Sequence, residues 1–124
     1  MHVVYMWSIG YTQEYEDWFT NQQEEDKIAI NAKVILLSEL GPNLGRPYVD
    51  TIHGSKYKNL KELRVKYRNT IFRILFCFDK SRNCWLLIGG NKKGKNERQF
   101  YDRLIDLAEK LIEKYPEISE EKNA

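Results

Sequence analysis

Three apolar runs joined by short polar breaks occupy residues 62–90, and they constrain the fold more than anything else in the chain. From Glu62 the alternation is regular: Leu63, Val65 and Tyr67 point one way, and Glu62, Arg64, Lys66 and Arg68 the other. After Asn69-Thr70 comes IFRILFCF (71–78), a buried-strand pattern; DKSRN (79–83) is a turn, and CWLLIGG (84–90) a third strand. Strands this close together pair as an antiparallel meander.

The flanking segments supply the layers that such a sheet must be buried against. VVYMW (3–7) has the composition of a first strand. Residues 12–19 are helical in pattern, and Asn21 with Glu24 resembles a capping box for a second helix. In that helix Ile28, Ala32, Ile35, Leu36 and Leu40 recur at helical spacing, and Gly41-Pro42 stops it. These two helices are expected to form a hairpin on the sheet. Residues 43–60 read as a long irregular connection with Gly45, Pro47 and Gly54, the kind of loop that often carries function. Asn96 with Gln99 caps a last helix whose stripe is Phe100, Leu104, Leu107, Ala108, Leu111 and Tyr115, ending at Pro116. The expected architecture is α+β, in the order β-α-α-β-β-β-α. It comprises one domain over 1–116 and a frayed tail over 117–124, which 124 residues permit.

Composition narrows the function classes. No apolar stretch is long enough to span a membrane and no signal-type segment opens the chain, so the expectation is a cytoplasmic protein with no membrane partner. Cys77 and Cys84 lie in apolar runs without metal-ligand spacing, and with only His2 and His53 as imidazoles, no metal site or cofactor is expected. Charge is unevenly placed. Residues 41–100 hold fourteen Lys/Arg against four Asp/Glu, whereas residues 1–40 hold two against seven. A block this basic suits an anionic partner, nucleic acid being the commonest.

The run LLIGGNKKGKNERQFY (86–101) contains Gly89, Gly94 and Lys95 at the spacing G-x-x-x-x-G-K, but Asn96 stands where a nucleotide-binding loop needs a hydroxyl for its metal. What survives is a general anion site: Lys92, Lys93 and Lys95 beside a helix N-terminus. A second cue is Arg73, on the opposite face of its strand from Phe72, Ile74, Phe76 and Phe78. It should lie near Arg64 or Lys66 across a hairpin. Like charges side by side on a sheet are destabilising, so either a carboxylate such as Glu62 neutralises them or they await an anion. Tyr101, about 100° round from the buried stripe, is placed to stack on a base or move a proton, and His53 is the near-neutral titrating group of the basic block.

The strings LGRPYVDTIHGSKYKNLKELRV (44–65), IFRILFCFD (71–79), LLIGGNKKG (86–94) and FYDRLIDLAEKL (100–111) together resemble the RelE/ParE superfamily, and within it the HigB-like, phage-derived branch of type II toxin–antitoxin toxins. The resemblance implies a RelE-like fold and metal-independent cleavage of mRNA on the ribosome. It also implies a cognate antitoxin partner, commonly a helix-turn-helix protein. Matched to the family pattern, the catalytic set is Arg64, Arg73, Lys92 or Lys93, and Tyr101. Arg46, His53, Lys56, Lys58, Lys61, Lys66 and Lys95 are the RNA-binding candidates. Two departures stand out. Glu62 occupies the place of a strand lysine that serves as a proposed base in RelE members, and no histidine follows His53, so the resemblance leaves the general base open. The alternatives are a ParE-like toxin that inhibits DNA gyrase without cutting nucleic acid, and an inactive RNA-binding module.

Overall fold

A computed structural model describes residues 6–118 of the chain. The order is β1 (Ser8–Tyr11), α1 (Gln13–Thr20), α2 (Glu24–Leu40), a 3₁₀ turn (Gly41–Asn43), β2 (Val49–Thr51), β3 (Lys61–Tyr67), β4 (Thr70–Phe78), β5 (Asn83–Asn91) and α3 (Glu97–Lys114). The five strands form one sheet in the order β1-β5-β4-β3-β2. The predicted meander is β3, β4 and β5, antiparallel throughout. Two strands depart from the expectation. β1 pairs parallel to β5, which the α1–α2 crossover makes possible, so the sheet is mixed rather than wholly antiparallel. β2, a short edge strand, forms inside the connection read as irregular and pairs with the start of β3. Of the strand expected over 3–7, residues 3–5 lie outside the described residues, and Met6 and Trp7 are not in a strand.

α1 and α2 cover one sheet face. Phe72, Ile74 and Phe76 of β4 and Leu63 and Val65 of β3 meet Tyr15, Ile30, Val34 and Leu37 there. α3 covers the other, where Leu75 and Cys77 meet Phe100, Leu104, Ala108 and Ile112. Each large apolar side chain fully buried this way contributes about 1.5–3 kcal/mol. Both cysteines are free and buried.

Helix boundaries follow their caps. Thr12 opens α1 by accepting from the Tyr15 amide at 2.9 Å, and its hydroxyl donates to the Leu87 carbonyl at 2.6 Å, tying the helix start to β5. Asn96 opens α3, its side chain accepting from the Gln99 amide, as the spacing predicted. The Asn21–Glu24 pair does not cap α2. Gln23 is its N-cap, without a side-chain bond, and Asn21 instead donates to the Asp17 carbonyl at the end of α1. The apolar face of α2 is also rotated from the predicted one: Ile30, Val34 and Leu37 are buried, whereas Ile28 and Ile35 are 68% and 55% exposed. α2 is apolar on more than one face, so periodicity alone admitted two registers. Of the tail expected from residue 117, only Glu117 and Ile118 are described, and Ile118 is buried against the α3 cluster. Among the described residues no helix is long and apolar enough to cross a membrane.

Candidate active site

The hairpin of β3 and β4 sets Arg64 directly opposite Arg73, and Glu62 opposite Leu75. Residues paired across antiparallel strands share a sheet face, so Glu62, Arg64 and Arg73 stand together on the side of α3. Two guanidiniums facing each other in a protein repel, and the arrangement is held by Glu62, whose side chain is buried. Its Oε1 accepts from Arg64 Nε at 2.6 Å and lies 3.9 Å from Arg73 Nε. The carboxylate alternative raised by the sequence is therefore realised, at the centre of the basic cluster.

Tyr101 completes the group from α3. Arg73 Nε donates to its hydroxyl at 2.6 Å, and Arg73 Nη1 donates to the Ile71 carbonyl. Arg73 is 6% exposed, a charge buried only because these partners surround it. Burial first, and then a side-chain hydrogen bond to the Glu62 carboxylate, push the Tyr101 phenol up to about 12. The hydrogen bond to Glu62 raises the Arg64 guanidinium further above its already high value. The cluster thus gathers two fixed cations and a protonated phenol around the buried Glu62 side chain.

Two hollows open around the cluster. One, of about 190 Å³, is lined by Asp50, His53, Glu62, Arg64, Glu97 and Tyr101. The other, of about 150 Å³ at the end of the sheet, is lined by Arg73, Thr70, Asn91, Lys92 and Lys93. So Arg64, Tyr101 and His53 share one opening, Arg73, Lys92 and Lys93 share the next, and the Arg73–Tyr101 bond connects them. Lys92 also pairs with Glu97 at 3.5 Å, at the first turn of α3. Arg46 pairs with Asp50, on the rim of the first hollow, and Lys61 reaches Thr51 beside it. Lys66 follows Arg64 on the same strand face, exposed at the far end.

Three RNA-binding candidates are placed elsewhere. Lys56 is paired with Glu113 near the C-terminal end of α3, and Lys58 lies exposed in the turn that follows. Lys95 lines a separate groove of about 770 Å³ on the other flank of α3, with Trp18, Gln99 and Arg103. Two glycines of the 86–101 run have local structural roles. A Cβ on Gly89 would lie 2.4 Å from the Trp18 ring, so this glycine admits the indole to the sheet, and Gly94 takes a positive φ of 73° in the turn before α3. Sequence reasoning did not foresee Glu62 as the hub. Its signal was present: a carboxylate alternating with Arg64 on the non-core face of a strand.

A profile of the family described as phage-derived Gp49-like proteins (DUF891) matches residues 17–113. A protein of Mycobacterium tuberculosis described as "Putative toxin HigB3" is 38% identical over 102 residues, which span 82% of this chain and 87% of that protein. A second from the same organism, "Putative toxin HigB2", is 38% identical over 109 residues, 85% of this chain and 54% of that protein. The fold is also that of the isolated E. coli RelE toxin (TM-score 0.54, 9% identity, 81% of this chain and 96% of that one). It is likewise shared with a chain in the intact E. coli RelBE toxin–antitoxin complex (TM-score 0.53, 11% identity, 74% and 99%).

Proposed function

Since the chain belongs to the Gp49-like family of phage-derived proteins, we propose that it is the toxin of a HigB/RelE-type toxin–antitoxin system and acts as a ribosome-dependent mRNA endoribonuclease. The observation that carries the reading is the Arg64–Arg73 pair, set face to face on adjacent strands with Tyr101 against it. Two rigidly held guanidiniums fit the non-bridging oxygens of one phosphodiester, and the charge that builds on a phosphorane is what such donors stabilise. A ribose 2′-hydroxyl attacks its own 3′-phosphate, leaving a 2′,3′-cyclic phosphate and a 5′-hydroxyl. The RNA supplies its own nucleophile, so positioning and electrostatics carry most of the catalysis. Lys92 and Lys93, in the hollow next to Arg73, hold a neighbouring phosphate, His53 lines the other hollow, and Arg46, Lys61 and Lys66 stand beside it along the strands. A cognate antitoxin, by the likeness to the toxin of the RelBE complex, covers or distorts this surface until it is released.

The test is to induce the chain without its neighbouring gene and map the 5′ ends of cellular mRNA. New 5′-hydroxyl ends within translated codons, absent with Arg73→Ala, support the reading. Inhibited supercoiling with intact mRNA refutes it in favour of a gyrase-directed toxin.

A further inference from the structure

We propose that Glu62 is the general base that takes the proton from the attacking 2′-hydroxyl, and that Tyr101 is the general acid that protonates the leaving 5′-oxygen. The inference rests on the endoribonuclease reading above and names the base that the resemblance leaves open. It stands on placement. Glu62 lines the same hollow as Arg64 and Tyr101, and any phosphate bridging Arg64 and Arg73 is held against its carboxylate. Both guanidiniums approach the carboxylate at Oε1, Arg64 Nε at 2.6 Å and Arg73 Nε at 3.9 Å. A carboxylate oxygen next to the phosphate site is where a 2′-hydroxyl must shed its proton.

The other acceptors facing this hollow are engaged or peripheral. Asp50, directly across from Glu62 on β2, is bound by Arg46 and the Thr51 amide. Glu97 on α3 is paired with Lys92. His53 is an exposed loop residue at the rim. Arg64 and Arg73 stay protonated and have no acceptor to offer.

Tyr101 has the complementary character. Its phenol is protonated at working pH, with burial and Glu62 keeping it so, and it can therefore give a proton. As it does, the Arg73 Nε–H already pointing at its oxygen stabilises the phenolate that forms. The protons balance over the turnover. The 2′-O–H bond breaks and its proton passes to the Glu62 carboxylate; the 2′-oxygen forms a bond to phosphorus; the P–O5′ bond breaks and its oxygen takes the Tyr101 proton. Water entering the hollow then takes the proton from the carboxylic acid and reprotonates the phenolate. Both side chains end as they began, with no external acid or base consumed.

The experiment uses programmed ribosomes carrying mRNA with either the natural 5′-oxygen or a bridging 5′-sulfur at the cut linkage. A thiolate leaves without a proton, so the acid is needed only for the oxygen substrate. Tyr101→Phe should slow single-turnover cleavage of the oxygen substrate by about 10²–10⁴-fold and cut the sulfur substrate within tenfold of wild type. Glu62→Gln should be slowed by a similar factor on both, while its affinity for an uncleavable 2′-deoxy mRNA changes by less than threefold. Because Glu62 also separates two arginines, Glu62→Asp accompanies it; the retained charge preserves the fold, and the shortened reach should still slow both substrates. A Tyr101→Phe defect equal on the two substrates removes Tyr101 as the acid. Glu62→Gln or Glu62→Asp cleaving within tenfold of wild type, or losing affinity in step with rate, removes Glu62 as the base. If the wild-type protein cuts neither substrate, the endoribonuclease reading itself fails, and the proton circuit with it.

Discussion

Replacing Arg73 by Lys separates bidentate phosphate recognition from simple charge attraction. The guanidinium has five N–H donors. Nε is used by Tyr101 and one Nη1 hydrogen by the Ile71 carbonyl, which leaves three uncommitted among the described residues. Two of these can meet two oxygens of one phosphate. A hydrogen bond to a charged group contributes about 1.5–3 kcal/mol, so losing one of the pair lowers the rate about 10–10²-fold. Losing both, as in Arg73→Ala, costs about 3–6 kcal/mol, or about 10²–10⁴-fold. Lys keeps the charge beside Glu62 but offers its donors from a single point. Single-turnover cleavage of programmed mRNA at saturating toxin measures this, with thermal melting as the control for folding. If Lys cleaves within threefold of wild type while Ala is inactive, Arg73 acts as a point charge and the bidentate argument is wrong. If both variants cleave within threefold, Arg73 lies outside the site.

Three further outcomes test the frame that holds the site. Gly89→Ala places a methyl 2.4 Å from the Trp18 ring. This overpacking should cost about 1–3 kcal/mol and lower the melting temperature by about 4–12 °C with a shift in tryptophan emission; an unchanged melt would show that the indole moves freely. Thr12→Val removes both the α1 cap and the bond to the Leu87 carbonyl, and should cost about 2–3 kcal/mol in urea unfolding, with Thr12→Ser recovering most of it. Burial alone would raise the Asp79 carboxyl. Hydrogen bonds from the backbone and side chain of Asn83, from the Trp85 indole and from the Ser81 amide outweigh burial and hold it below the usual carboxylate range. A folded value below the unfolded one gives stability that is present above about pH 4 and is lost as pH falls through the folded value. Asp79→Asn should therefore flatten the acid limb of a stability–pH curve, and an unchanged slope would show that other carboxylates set it.

The parts of the fold legible in the sequence are those where one physical signal acts alone. The β3–β4–β5 meander was readable because alternation and short breaks both specify hairpins. The start of α3 was readable because Asn96 caps it by a bond three residues long. β1 and β2 were not. Each is four residues or fewer and owes its strand conformation to a partner distant in the chain, β5 for one and β3 for the other. α2 shows the opposite failure, an excess of signal: apolar residues on two faces gave the period of the helix without its rotation. What decides the rotation is the fit of Ile30, Val34 and Leu37 against the α-side face of the sheet.

The candidate site follows the same division. That Arg64 and Arg73 share a face is a consequence of alternation plus a hairpin, both visible in the sequence. Glu62 was visible too, but as a neutralising charge and as the residue in a lysine's place. Its meaning changes with burial. On an exposed strand a carboxylate between two arginines is a surface ion pair of small consequence. Here α3 closes over it, Arg73 is left 6% exposed, and Tyr101 is pressed against the pair from a helix that begins where the strand ends. On the reading proposed above, the residues that keep two cations together in the free protein are also the ones a phosphate meets on arrival. In the proposed mechanism the phosphate offers the guanidiniums a second acceptor, which loosens their hold on Glu62 and frees its oxygens for a proton. In that mechanism one carboxylate is the counter-ion of the free protein and the base once substrate binds, a dual use that a lysine at this position could not provide.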